Sequence, residues 1–91
     1  MKKYIIERNI PGAGNLTPEQ LKAVSQKSCA ALEQLGTTVQ WVQSLVTADK
    51  VYCTYLATGP EAILRHAELS GIPAHQITPV RTVIDPITAV A

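Results

Sequence analysis

Four side chains of this sequence have the chemistry to bind a transition metal: His66, His75, Cys53 and Glu7. Imidazole nitrogen and thiolate sulfur are ligands that nickel, copper and zinc accept, and a carboxylate oxygen can complete such a shell. Their spacing matches no recognised ligand pattern, and neither Cys53 nor Cys29 belongs to a Cys-x-x-Cys pair. The residues alone therefore leave both a metal site and purely structural roles open.

The structural interpretation differs for each of these side chains. His66 lies three positions after Ile63, beside the apolar stripe of a predicted helix, and His75 precedes the last predicted strand. Glu7 ends the first strand and would need a partner if it were covered, for which Arg81 on a neighbouring strand is a candidate. Because no nucleophile motif is present, the sequence does not favour an enzyme.

The composition indicates a single small domain, residues 1–91, whose surface is poor in charge. Charged residues are 16% of the chain, against about 25% in average proteins. The net charge of +1 has no clustered basic face, which argues against nucleic acid as a partner. No run approaches the roughly 18 apolar residues of a membrane span. We therefore expect a cytoplasmic protein in which Cys29 and Cys53 stay free thiols, because the cytosol is reducing.

Hydrophobic periodicity and turn residues divide the chain into six elements. Thr17 and Gln20, three positions apart around Pro18, form the pattern of a helical capping box, and Gly36 falls where a left-handed cap would end that helix. Pro79 predicts an edge position or a bulge for the last strand, because proline cannot donate to a ladder. The predicted elements are strand 3–8, helix 18–35, strands 38–46 and 50–57, a helix from 60 that is closed by Gly71, and strand 77–84.

The order β-α-β-β-α-β predicts an α+β fold, a ferredoxin-like sandwich with a four-stranded antiparallel sheet and both helices on one face. The stripe of the first helix that should pack on this sheet is Leu21, Val24, Ser28, Ala31 and Leu35. Both alternation phases of the strands carry apolar residues, where a sheet with one solvated face would show a polar phase. The second face is therefore predicted to be covered by another copy, which makes a homodimer through the sheets. One phase is Ile5, Val42, Ser44, Tyr52 and Thr54, and the other is Ile6, Trp41, Cys53 and Tyr55.

Several segments together resemble one family of small bacterial domains. They are Tyr4-Ile5-Ile6-Glu7-Arg8 with Pro11-Gly12, Gln26-Lys27-Ser28-Cys29, Gln40-Trp41-Val42, Asp49-Lys50-Val51-Tyr52-Cys53, His66-Ala67, Gly71-Ile72-Pro73-Ala74, and Arg81 to Pro86. The chain is similar to the DUF4242 family, sometimes called the SCO-type nickel-binding-protein family. The resemblance covers nearly the whole chain and implies a ferredoxin-like domain that dimerises through its sheets. The matching residues able to bind a metal are Glu7, Cys53 and His66, and His75 is a weaker candidate outside these segments.

The resulting functional expectation is a small dimeric protein that binds nickel or another divalent transition metal. Affinity trends among divalent metals place copper above nickel and leave zinc possible at nitrogen and sulfur ligands. The alternative is an enzyme or small-molecule-binding module that uses a cavity between the paired sheets, with Glu7, Tyr52 and His66 as its polar groups.

Overall fold

The computed structural model describes residues 1–90 and has the predicted order of six elements. Short 3-10 turns follow the first strand, the first helix and the last strand. The regular elements are β1 (Lys2–Asn9), α1 (Pro18–Leu35), β2 (Val39–Val46), β3 (Lys50–Ala57), α2 (Pro60–Ser70) and β4 (Gln76–Pro79).

The four strands form one antiparallel sheet in the order β2-β3-β1-β4. The two central strands pair along their whole length, from Lys2 opposite Ala57 to Asn9 opposite Lys50. The two β-α-β halves thus interleave, and the α+β ferredoxin-like architecture predicted from the element order is confirmed. No helix within residues 1–90 combines the length and apolar character that crossing a membrane requires.

One face of the sheet carries the core, and α1 and α2 cover it. Alternate residues of β1 are buried there, namely Tyr4, Ile6 and Arg8, while Lys3, Ile5 and Glu7 point to the other face. The core of this helix-covered face consists of Tyr4, Ile6, Val39, Cys53, Tyr55, Ala57, Ala62 and Ile63.

Helix α1 begins and ends where the sequence predicts, at Pro18 and Leu35. The Thr17 hydroxyl accepts a hydrogen bond from the backbone N–H of Gln20 at 3.2 Å, and the Gln20 side chain accepts one from Thr17 N–H at 2.9 Å. The predicted capping box is therefore present. Gly36 has φ 63° and ψ −126°, so it has the positive φ that favours glycine but not the predicted left-handed helical conformation.

Strand β4 is shorter than predicted. It ends at Pro79 instead of continuing to residue 84, because Pro79 already pairs with Tyr4, close to the start of its only partner strand. The Val80 N–H adds one bond to the Lys3 carbonyl, and beyond it β1 has almost no residues left to pair. The predicted edge position of the Pro79 strand is confirmed, since β4 lies at one end of the strand order.

The second face of the sheet and the segment after β4 remain open in the single chain. Ile5 and Leu45 on that face are 44% and 59% exposed. The segment after β4 includes a 3-10 turn at Pro86–Ala89, and Ile84, Ile87 and Val90 in it are exposed. One chain thus leaves two apolar surfaces without a covering element from residues 1–90.

Candidate functional site

A buried arginine lies at the centre of the helix-covered face. The side chain of Arg8 is only 2% exposed, because the alternation of β1 directs it inward after Tyr4 and Ile6. Its Nη1 donates to the carbonyl oxygens of Ile72 and Pro73, each at 3.0 Å. Its guanidinium therefore ties β1 to the loop that follows α2.

The other Arg8 donors reach two side chains of β3. Nε donates to Cys53 Sγ at 3.4 Å, and Nη2 donates to the Tyr55 hydroxyl oxygen at 3.3 Å. Neither ion pair among residues 1–90, Lys50–Glu7 or Arg65–Glu68, involves Arg8. Its charge is therefore met inside the chain by neutral carbonyl and hydroxyl acceptors and by the sulfur of Cys53.

A β-bulge in β2 adds a serine to this group. Between Trp41 and Gln43 the register with β3 shifts, so Ser44 lies opposite Cys53 on the helix-covered face. The Ser44 hydroxyl donates to Cys53 Sγ at 2.9 Å and accepts from Trp41 Nε1 at 3.0 Å. The prediction that Ser44 shares a face with Ile5 is wrong, because the bulge reverses the alternation.

Beside these polar groups lies a cavity of about 450 Å³ between α1 and the sheet. Most of its wall is apolar, and Leu16, Leu21 and Val24 contribute to the side formed by α1 and the residues before it. The N-terminal half of the predicted α1 stripe therefore borders an open space, while Ser28 and Ala31 further along the helix are buried. The polar residues that line the cavity are Arg8, Asn9, Ser25, Ser28, Ser44, Cys53 and Tyr55.

His66 is completely buried in α2, more deeply than the partial shelter expected of a residue flanking the apolar stripe. Its Nε2 is 3.0 Å from the Ser28 hydroxyl of α1, and its ring packs against Tyr55 with centroids 5.3 Å apart. Nδ1 has no hydrogen-bond partner within residues 1–90. Burial first, and then the nearby positive charge of Arg8, lower the pKa of His66, so the ring is neutral at physiological pH.

Tyr55 keeps its phenolic proton in this environment. Its burial is the main cause of a raised pKa, which the charge of Arg8 only partly offsets. Because its oxygen accepts from Arg8, its own O–H can donate either to the neighbouring Ser28 hydroxyl or to a further acceptor. Tyr55 is thus a hydrogen-bond donor at the wall of the cavity.

Glu7 lies on the opposite, open face of the sheet. Its carboxylate pairs with Lys50 Nζ at 3.2 Å, and the hydrogen bond and charge of Glu7 raise the pKa of Lys50. The prediction of Arg81 as its partner is wrong, because β4 ends before residue 81 and the Glu7 carboxylate pairs with Lys50 instead. Glu7 is 31% exposed and remains accessible to ligands.

His75 lies at the edge of the sheet just before β4. Its backbone N–H donates to the Glu7 carbonyl oxygen at 2.9 Å, and its Nδ1 accepts from the Asn9 N–H at 3.0 Å. A neutral ring in this arrangement carries its proton on Nε2. The side chain is exposed, unlike that of His66.

The four candidate metal ligands fall into two separate places. Cys53 and His66 lie on the helix-covered side around Arg8 and Tyr55, whereas Glu7 lies on the open face and His75 lies at the sheet edge just before β4. Within residues 1–90, no group of three or more His, Cys, Asp or Glu side chains is placed to hold one metal ion. Cys29 is exposed on α1 and both cysteines are free.

Arg8, Ser44 and Ser28 are the site residues that sequence reasoning missed. Arg8 resembles a polar residue that terminates a strand, and its burial depends on which strand phase the helices cover. The available signal was its phase, since Arg8 alternates with Tyr4 and Ile6. Ser44 offered no signal, because the bulge that places it is not encoded by glycine or proline.

The fold and these two sites define a ferredoxin-like α+β domain with a helix-side cavity and an open sheet face. Residues 4–80 match the family model described as "Nickel responsive protein SCO4226-like", and the chain belongs to that family. The resemblance to an SCO-type family is thereby confirmed.

A solved structure shows the same fold. The crystal structure of SCO4226 from Streptomyces coelicolor A3(2) matches with a TM-score of 0.76 at 21% sequence identity, over 90% of this chain and 99% of that chain. No curated protein matches the chain. The name of the family describes its members as nickel responsive.

Proposed function

We propose that this protein binds a divalent transition metal, nickel first, as a homodimer. The observation that carries the proposal is that the backbones of Glu7 and His75 are hydrogen-bonded at 2.9 Å, so that an accessible carboxylate and an exposed imidazole belong to neighbouring residues of β1 and of the segment just before β4. Membership of a family described as nickel responsive supports the choice of metal. A cytoplasmic location fits a protein that would report on intracellular metal.

The helix-covered pair is the weaker half of the ligand set. Cys53 Sγ already accepts from Ser44 and Arg8, and His66 is sealed from solvent. The guanidinium of Arg8 would repel a divalent cation at this sulfur, since like charges at short range in a low dielectric repel strongly. Metal binding there would require the core to open.

The pair formed by Glu7 and His75 needs only a small rearrangement. If Nε2 of His75 is to bind a metal, Nδ1 must take the proton and the hydrogen bond from Asn9 must break. A neutral hydrogen bond contributes about 1 kcal/mol, whereas metal binding to closed protein sites contributes on the order of 10 kcal/mol. The free energy lost with this hydrogen bond is therefore small compared with the free energy gained by binding the metal.

A dimer would complete the coordination shell. Closed sites commonly use four ligands, and one chain offers Glu7 and His75 at this position. Two copies joined through their open faces would supply two carboxylates and two imidazoles to shared or adjacent sites. Carboxylate oxygen and imidazole nitrogen both suit nickel.

The test is calorimetric titration of untagged protein with nickel and with zinc. Glu7→Gln and His75→Ala should each weaken nickel binding at least tenfold, since loss of one ligand of a shell commonly costs about 1.4 kcal/mol or more.

The matched control is His66→Gln, which removes the other imidazole. It should leave nickel affinity within twofold while circular dichroism shows a retained fold. Loss of binding in His66→Gln with full binding in His75→Ala would move the site to the helix-covered face. Absence of nickel binding by the wild type would end the proposal.

A further inference from the structure

The helix-side cavity has the features of a small-ligand site, independent of the metal proposal. Its volume of about 450 Å³ falls within the roughly 300–1,000 Å³ of small-molecule pockets. Its wall is mainly apolar, with a small group of polar side chains gathered at the sheet. A pocket of this kind fits a ligand with an apolar body and one polar end.

The positive charge of Arg8, at the sheet end of the cavity, indicates which chemical group the polar end of a ligand should carry. A guanidinium has five N–H donors, and Arg8 uses four of them on Cys53, Ile72, Pro73 and Tyr55. One N–H on Nη2 is left. None of these acceptors is a carboxylate, and a buried charge is strongly stabilised by an anionic partner.

A second donor lies beside the remaining N–H of Arg8. The Tyr55 oxygen is 3.3 Å from Nη2, so its O–H lies close to that N–H. Two adjacent donors, one of them charged, match the two oxygens of a carboxylate. Within residues 1–90, no Asp or Glu lines the cavity and would repel this anion.

The α1 side of the cavity provides the entrance. Leu21 and Val24 line the cavity yet remain 36% and 43% exposed, so the cavity reaches the surface between them and the sheet. An apolar chain entering along these side chains would bring its carboxylate to Arg8.

We propose that this cavity binds a monocarboxylate with an apolar body, the carboxylate resting on Arg8 and Tyr55. The donors are on β1 and β3, the two central strands, so the receptor is rigid. The ligand leaves the open face of the sheet free, and a homodimer through that face could bind one molecule per chain.

The experiment compares decanoate with decanol, which share a chain and differ in the charged end. Binding to untagged protein, without added metal, is measured by calorimetry and by amide chemical-shift changes. Wild type should bind decanoate at least tenfold more tightly than decanol, with shifts at residues that line the cavity. Equal affinities, or no binding of decanoate, would overturn the proposal.

Two kinds of variant separate the carboxylate contact from the cavity itself. Tyr55→Phe removes one donor with little change of shape, and should lower decanoate affinity at least threefold while decanol binding is unchanged. Arg8→Met should abolish the preference for decanoate. Arg8 also holds the loop after α2 in place. If Arg8→Met does not fold for that reason, the Tyr55→Phe result tests the proposal in its place.

The cavity is tested by filling it. Val24→Trp should lower the affinity for both probes at least tenfold. Its matched control is Leu64→Trp, which also changes a half-exposed aliphatic residue of a helix but lies outside the cavity lining. Decanoate affinity unchanged in Val24→Trp, or equally reduced in Leu64→Trp, would contradict the assignment.

Discussion

At the scale of single residues, His66 makes the stability of the fold depend on pH. The folded protein keeps the ring neutral, because burial and Arg8 lower its pKa, whereas an unfolded histidine has a pKa of about 6.5. As the pH falls through that value, the unfolded state binds a proton that the folded state does not. This contribution to stability is therefore complete above the unfolded pKa and is lost as the pH falls below it.

We expect the free energy of unfolding to fall with decreasing pH between about pH 7 and 5.5, with a slope from His66 of up to about 1.4 kcal/mol per pH unit. Urea unfolding at fixed protein concentration, followed by the fluorescence of the single tryptophan Trp41, measures this. His66→Gln should flatten the slope. An unchanged slope in His66→Gln would show that other groups cause the dependence.

The residues that could be predicted from sequence are those whose chemistry is visible without the fold. The candidate metal ligands are recognisable by type, whereas their separation into two places of the fold is not. Arg8 shows the limit most clearly: both strand phases are apolar, so the sequence does not say which phase the helices cover. The contacts on which its proposed role rests are made with Tyr55, Ile72 and Pro73, which are distant in sequence.

At the scale of elements, local signals decided what could be predicted. The proline, the capping box and the glycine of helix α1 all predict the same ends for this helix. Strand β3 is bounded by a polar turn and by the Gly59-Pro60 pair. The end of β4 depends on where β1 begins, since a strand without a partner cannot continue. The bulge in β2 has the same origin, because it exists only in the pairing with β3.

The capping box of α1 supports the wall of the cavity, because the first half of this helix borders it. Thr17→Ala removes the acceptor for the Gln20 N–H and should lower the free energy of unfolding by about 1 kcal/mol. Thr17→Ser keeps a hydroxyl oxygen at this position. It should lower the free energy of unfolding by only about a few tenths of a kcal/mol. Chemical denaturation of the three proteins provides the comparison, and equal losses in both variants would show that the methyl group, not the cap, matters.

At the scale of the whole molecule, the open surfaces favour association. The open sheet face carries Ile5 and Leu45, and Ile84, Ile87 and Val90 after β4 are exposed by 76%, 71% and 84%. A partner chain that covered both surfaces would bury on the order of 1,200 Å² or more, the usual scale of a specific interface. The segment after β4 is ordered by its own capping box between Asp85 and Thr88, so it could pack on a partner at a modest cost in entropy.

Native mass spectrometry of untagged protein with nickel added tests the metal-binding homodimer most directly, because one spectrum reports chain number and bound metal together. The account predicts a dimer of the 9.8 kDa chain carrying at least one nickel ion. Ile5→Lys, which places a charge on the open face, should shift the protein toward monomer and reduce nickel occupancy, while Leu64→Lys on α2 should change neither. A wild-type spectrum of metal-free monomer, or of a dimer without nickel, would contradict the account.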